Sequence, residues 1–230
     1  MISTFGIWGR DDDGQNGPAG AGGDPAGAAR ARMVDGLAGR IERPSTERAM
    51  RAVPRHVFVP EGRRDAAYAD RPLPIEGGQT ISAPHMVAEM TDRLALAPGD
   101  RVLEVGTGCG YHAAVTAEVA GAENVYSVEY DGALADAARG RLSDLGYGAV
   151  SVRRGDGRDG WAAHAPYDAA YLTCAAARVP PALIEQVEVG GRILAPVGTG
   201  GTQRLVRLEK RPDGVEREAL TRVRFVRMRG

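Results

Sequence analysis

Lysine is almost missing from this chain. Of 29 basic residues only Lys210 is not an arginine, which reads as a coding preference rather than a device. Charge of one sign is also missing, since 29 basic and 30 acidic residues leave a net charge of −1. That balance excludes the broad basic face a nucleic-acid or anionic-membrane surface needs. Two cysteines cannot form a disulfide framework. No apolar run approaches the roughly 18 residues that mark a membrane-crossing helix. No basic stretch followed by an apolar core stands at the start, so no secretory leader is expected and a cytoplasmic location follows. What is present is ordinary for a globular protein: 230 residues, 43% hydrophobic and 26% charged, enough for one sizeable domain with appendages.

Residues 1–29 are rich in Gly, Ala, Asp and Pro, carry no helical or strand period, and are expected to form a disordered tail. Residues 30–230 are expected to fold, with a helical part over 30–98 and a sheet over 99–230. Two short helices are expected between Arg30 and Met50, the second capped by Ser45. Pro72, Pro74 and Gly77-Gly78 make 66–82 loop-like. Met86, Val87, Met90 and Leu94 share the spacing of one helix face, so Pro84 to Leu94 is expected to be helical, with Ser82 just before it.

From position 101 strands and helices alternate. Strands are expected at 101–105, 125–129, 150–153, 168–173, 191–196, 203–209 and near 219–227, and helices near 111–119, 132–145 and 180–187. This alternation argues a doubly wound α/β fold with a mostly parallel sheet and helices on both faces. Arg211-Pro-Asp-Gly214 is turn chemistry, so the last two strands should form an antiparallel hairpin.

The most informative run is Val102-Leu-Glu-Val-Gly-Thr-Gly-Cys-Gly-Tyr111. An apolar strand enters a loop with glycine at 106, 108 and 110, and a helix follows. Glycine lets a ligand approach the backbone, and the free N–H groups of a helix start favour negative charge. A dinucleotide fingerprint would place glycine at 111, where Tyr stands. Val125 to Glu129 then reads as a second strand ending in an acid, which suits a ribose diol. A tight strand-to-helix turn with no ligand is the plain alternative. The pair of features resembles an S-adenosylmethionine-dependent, class I methyltransferase with a Rossmann-like sheet more than a dehydrogenase.

Several further segments resemble one family, the protein-L-isoaspartate O-methyltransferases. They are Val53-Pro-Arg-His-Val-Phe-Val-Pro60, Ala67-Tyr-Ala-Asp-Arg-Pro-Leu-Pro-Ile75 and Gly78-Gln-Thr-Ile-Ser-Ala-Pro-His-Met86, followed by Gly155-Asp-Gly157, Ala165-Pro-Tyr-Asp168, Gly190-Gly191 and Pro196-Val-Gly198. The resemblance spans roughly residues 30–228. It implies methyl transfer from S-adenosylmethionine to the α-carboxylate of L-isoaspartyl residues in aged proteins, which opens a repair route through succinimide. It also implies a monomer, isoaspartyl proteins and peptides as partners, and no metal, nucleic acid or membrane partner.

Site residues follow from the same resemblance. Ser82 is the catalytic candidate, donating to the substrate carboxylate; a helix N-cap is its plain alternative. Gln79 and Thr80 should share the substrate wall. Gly106, Gly108 and Gly110 should pass the methionine part of the cofactor, Glu104 should orient that loop, and Glu129 should hold the ribose. Asp156 and Gly157 should meet the adenine. Thr173 should sit at the fourth strand's carboxyl end, and Gln203 should help close the site from the terminal hairpin. His85 is expected on the helix surface. A carboxylate nucleophile loses no proton, so no strong general base is required.

Two departures stand out. Cys109 and Cys174 occupy positions where Ser and Ala are common in the family, and proximity of the two thiols, sensitive to oxidation, is one expectation beside that of two inert buried thiols. Arg227 stands where Pro is common, in a segment that borders the peptide in relatives, which leaves open a related enzyme that esterifies one Asp of a dedicated partner. The tail holds Asp13-Gly14 and Asn16-Gly17, sequences prone to succinimide formation, so the tail itself could age and be methylated.

Overall fold

The computed structural model describes residues 24–230. The tail motifs Asp13-Gly14 and Asn16-Gly17 lie outside the described residues. The first helix, α1 (Pro25–Asp35), starts five residues ahead of the helical pattern read from Arg30, because the Asp24 side chain accepts from the Ala26 N–H and Pro25 takes the first helical position. Helix α2 (Pro44–Ala52) has Arg43 at its N-cap, so Ser45 lies inside the first turn and does not cap. No side chain caps this helix; Asp92 fixes the chain at its entry by accepting the Arg43 N–H at 2.9 Å. Helix α3 (Pro84–Leu94) follows the small ladder described below.

The strands are β1 (Val102–Val105), β2 (Val125–Glu129), β3 (Ser151–Arg154), β4 (Tyr167–Leu172), β5 (Val187–Val197), β6 (Gln203–Arg211) and β7 (Gly214–Val223). They form one sheet in the order β3-β2-β1-β4-β5-β6-β7. The pairs from β3 to β5 are parallel, and β5–β6 and β6–β7 are antiparallel. Between them run α4 (Tyr111–Ala120), α5 (Gly132–Asp144) and α6 (Pro181–Gln186).

The last strand corrects the sequence reading of 219–227. It begins at Gly214 and pairs from Arg211↔Gly214 onward. Most of β7 is exposed on both faces, as an edge strand can be, so it carries no alternation of apolar residues for a pattern to find. The apolar residues Val223, Phe225 and Val226 drew the expectation too far along the chain. Residues past Val223 leave the sheet and cross it instead, held to Ala175 through Ala175 N–H to Val226 C=O at 2.7 Å and Met228 N–H to Ala175 C=O at 2.8 Å.

Successive strand residues serve opposite faces, and the core divides accordingly. Val102 and Tyr171 pack with Met50, Phe58 and Tyr111 on one face. Leu103 and Leu172 pack with Leu183 and Ile193 on the other. In α4 only Glu118 is exposed, because the helix is sandwiched between the sheet and the N-terminal helices. Strand order reverses between β1 and β4, both flanked by parallel neighbours. The carboxyl ends of those two strands therefore open a crevice where no crossover helix covers them.

Candidate active site

The crevice is a cleft of about 750 Å³, its mouth included. One wall is the loop after β1. Its glycines have positive φ, +98° at Gly106, +55° at Gly108 and +93° at Gly110. At Gly106 the demand is also steric, since a Cβ there would lie 2.4 Å from Thr173 Oγ1. The Thr173 hydroxyl donates to the Gly106 carbonyl, so the start of the loop is locked to the end of β4. Gly106, Gly108 and Thr173 all line the cleft. Gly110 does not; it begins α4 and faces Leu142 on α5.

Glu129 ends β2 and is only 7% exposed. Its carboxylate accepts the Gly108 N–H at 2.8 Å and the Asp131 N–H at 3.0 Å. One acid thus joins the glycine loop to the start of α5 and still faces the cleft. A carboxylate has about four acceptor directions, so two remain for a ligand diol. Gly157 forms the floor on the same side. A Cβ there would collide with Val105 Cγ1, so only glycine lets this turn pack against the end of β1.

The facing wall is built by a two-residue ladder, Leu73–Pro74 against Thr80–Ile81. It folds back through Gly77 and Gly78, at φ +66° and +68°. The fold-back presents Gln79, Thr80 and Ser82 to the cleft. Ala83 is the N-cap of α3 and no side chain caps that helix, so the N-cap alternative for Ser82 is set aside. The Ser82 hydroxyl has no partner among the described residues, which leaves it free to donate into the cleft.

Three residues expected at the site, Glu104, Asp156 and Gln203, do not line the cleft. Glu104 is fully buried beneath the loop and does not touch the cleft. Its register neighbours are Ser127 and Tyr171, whose hydroxyls both donate to it, and Ser127 in turn meets Thr107 of the loop. Glu104 therefore braces the loop from below, the orienting role expected of it. Asp156 caps its own turn, accepting the Arg158 N–H at 2.9 Å, and its side chain stands outside the cleft wall. Gln203 is buried in the hairpin, donating to Gly200 C=O at 3.1 Å and accepting the Phe225 N–H at 2.8 Å. It fastens the terminal segment, whose Val226 to Arg229 complete the cleft. His85 pairs with Asp70 at 2.8 Å away from the cleft wall, as a surface residue should.

Glu104 gives a pH prediction. Burial pushes its pKa up from 4.5 to about 8, against the hydrogen bonds from Ser127 and Tyr171. The folded state then binds a proton that the unfolded chain releases, so the stability it contributes is full below about pH 4.5 and lost as pH rises to about 8. Glu104→Gln keeps an acceptor and removes the titration. In denaturant melts the wild type should lose stability relative to the variant between about pH 5 and 8, and the gap should stay constant above about pH 8. His112, whose burial lowers its pKa to about 3, acts in the opposite sense and only below its ordinary value. A flat difference across that window would contradict the assignment.

The residue that sequence reasoning missed is Arg55. It is 0% exposed, donates from Nε to Ala67 C=O at 2.8 Å and from Nη2 to Ser82 C=O at 2.7 Å, and lies 4.8 Å over the Tyr111 ring. Its Nη1 has no partner, and burial lowers its pKa. Arg55 thus pins the backbone at Ser82 and places a cation without a carboxylate partner behind the wall where an anionic substrate would rest. Nothing in the run Val53 to Pro60 marks Arg55 as buried, since it stands between Pro54 and His56. Lysine cannot reproduce a fork to two carbonyls. Arg55→Lys should lower kcat roughly tenfold through a misplaced Ser82, with cofactor affinity changed less than about threefold as read by calorimetry. An unchanged kcat would remove its positioning role.

Tyr111, Tyr130 and Cys109 also line the cleft without having been expected there as ligand contacts. Cys109 and Cys174 are both free and buried. Burial raises their pKa values to about 11 and about 12, which keeps both protonated as thiols. Both thiols line the cleft.

A family profile described as protein-L-isoaspartate(D-aspartate) O-methyltransferase matches residues 32–230. Protein-L-isoaspartate O-methyltransferase 2 of Archaeoglobus fulgidus is 54% identical over 184 residues, 79% of this chain and 84% of that protein. The protein-L-isoaspartate O-methyltransferase of a Picosynechococcus species is 46% identical over 209 residues, 90% of this chain and 93% of that protein. A solved protein-L-isoaspartate O-methyltransferase superposes with TM-score 0.81 at 27% identity, covering 87% of this chain and 66% of that one. A Plasmodium falciparum structure in complex with S-adenosyl-L-homocysteine shares the fold, with TM-score 0.77 at 24% identity, covering 87% of this chain and 98% of that one.

Proposed function

The chain belongs to the protein-L-isoaspartate(D-aspartate) O-methyltransferase family, and from that premise we propose how its residues carry out the reaction. The activity is S-adenosylmethionine-dependent methylation of isoaspartyl residues, which initiates their repair. The residue roles rest chiefly on one observation, the single cleft that brings the glycine loop and Glu129 face to face with Ser82 and its ladder.

The cofactor supplies an electrophilic methyl on a sulfonium. Glu129 takes the two ribose hydroxyls on the acceptor directions its backbone partners leave open. Gly106 and Gly108 carry the methionine part past the loop, and Gly157 gives the adenine a flat rest. Thr173 keeps the loop at the height these contacts need. Gln79, Thr80 and Ser82 receive the isoaspartyl carboxylate.

A carboxylate oxygen attacks the methyl carbon, the carbon–sulfur bond breaks, and its electron pair leaves on sulfur. No proton moves. Negative charge on the carboxylate falls along the way, so a donor on the attacking oxygen would hold back the reaction. Ser82 therefore serves best by donating to the other carboxylate oxygen, leaving the attacking one free and aligned within about 3–3.5 Å of the carbon. Closure of the cleft strips water from that oxygen. The methyl ester then cyclises to succinimide, and part of the succinimide reopens to normal aspartate.

The same reading divides the work along the chain. Residues 30–98 supply the substrate wall and residues 99–230 the cofactor wall. We infer a cytoplasmic monomer: two free buried thiols suit a reducing compartment, and sedimentation at increasing concentration tests the monomer. The repair step is tested by prolonged incubation of an isoaspartyl peptide with enzyme and cofactor. Chromatography should show its peak falling and the normal aspartyl peptide appearing; an isoaspartyl peak that persists while methyl groups are consumed would contradict repair.

A further inference from the structure

Beside the cleft lies a second cavity of about 970 Å³, mouth included, and the two share Arg227 and Met228 in their walls. Its floor is small and apolar, from Ala175 to Ala177 with Pro180. Its rim carries three arginines, Arg158, Arg178 and Arg227, and no Asp or Glu side chain. Arg158 is engaged with Asp156 at 3.2 Å. Arg178 and Arg227 have no carboxylate partner among the described residues. Arg227 is steadied instead by donating to the Thr199 C=O at 2.6 Å, which fixes its position without neutralising it. Two of the three arginines thus stay unneutralised by any Asp or Glu among the described residues, so the groove keeps positive charge.

Continuity and charge together identify an occupant. A polypeptide whose isoaspartyl side sits at Ser82 must run out of the cleft on some path. The groove offers one, shared at Arg227 and Met228, with a floor that tolerates any backbone and a rim that favours anions. We propose that this groove receives the residues flanking the isoaspartyl site and that Arg178 and Arg227 make the enzyme prefer substrates with Asp or Glu there. The inference rests on the methyl-transfer reading above and adds substrate selection to it.

The test is a set of isoaspartyl peptides equal in length, carrying neutral, glutamate or lysine residues at two to four positions on one side of the isoaspartyl or on the other. The quantity read is the ratio of kcat/KM for the charged peptide to that for its neutral twin, measured within each enzyme so that any loss of folding cancels. Exposed charge pairs are individually weak, so two of them predict about a three- to tenfold preference for glutamate on one side. Salt at about 0.5 M should shrink that preference, because screening shortens the reach of exposed charges. Arg178→Glu, outside the cleft wall, should reduce the ratio, and Arg178→Glu with Arg227→Glu should invert it in favour of lysine.

Equal ratios for glutamate and lysine peptides in the wild type would overturn the proposal. So would a glutamate preference that survives both charge reversals. Failure of the wild type to methylate even the neutral isoaspartyl peptide would instead strike the methyl-transfer reading, and this inference with it.

Discussion

Glu129→Ala is expected to raise the dissociation constant for S-adenosylmethionine by about 10²- to 10⁴-fold. The proposed ribose contacts are hydrogen bonds to an ionised acceptor, each contributing about 1.5–3 kcal/mol, and every 1.4 kcal/mol is about tenfold in affinity. The same substitution frees the Gly108 and Asp131 amides, which the carboxylate now accepts at 2.8 and 3.0 Å. Those amides then face a buried space with no acceptor, so the glycine loop should loosen as well. Glu129→Gln is the more telling variant. It preserves volume, but its amide N–H₂ must face one of the two backbone donors, and about a tenfold loss should remain. Calorimetric titration with S-adenosyl-L-homocysteine reads both. An Ala variant that binds within threefold of wild type would remove Glu129 from the cofactor site.

Ser82→Ala is the second large effect, and it should fall elsewhere. Its hydroxyl is free among the described residues and α3 is not capped by it, so stability should change little. Cofactor binding should also hold. What is lost is the alignment of the substrate carboxylate, and a displacement of about 1 Å costs about 10²-fold in rate. kcat/KM for an isoaspartyl peptide should therefore fall about 10²-fold, with KM rising as well as kcat falling. Because carboxylate charge decreases during transfer, a threonine at 82 should retain more activity than a lysine, although lysine would bind the anion more strongly. Lysine at 82 outperforming threonine would contradict the positioning argument.

The parts of the fold legible in the sequence were those where one face is buried and glycine is obligatory. The loop Gly106 to Gly110 could be placed because three glycines in five residues after an apolar strand have few other uses. Glu129 followed because the strand end after it fixes where an acid must stand. The terminal edge strand escaped because both faces of Gly214 to Ala219 meet solvent and leave no period to read. Side-chain direction was the other gap. Glu104, Asp156 and Gln203 all lie close to the cleft in the chain, yet each turns to satisfy its own neighbourhood: a buried hydroxyl pair, a short turn and a hairpin. Such demands are set by residues distant in sequence. Arg55 shows the converse, since its partners Ala67 and Ser82 lie 12 and 27 residues away and only the fold brings them to one guanidinium.

The central claim is that one cleft sets a methyl donor against an isoaspartyl carboxylate held at Ser82. Its most direct test is transfer of labelled methyl from S-adenosylmethionine to an isoaspartyl peptide, beside its normal aspartyl twin and with Ser82→Ala in parallel. The account predicts base-labile label on the isoaspartyl peptide alone, reduced about 10²-fold in the variant. Equal labelling of both peptides, or full activity without the Ser82 hydroxyl, would contradict it.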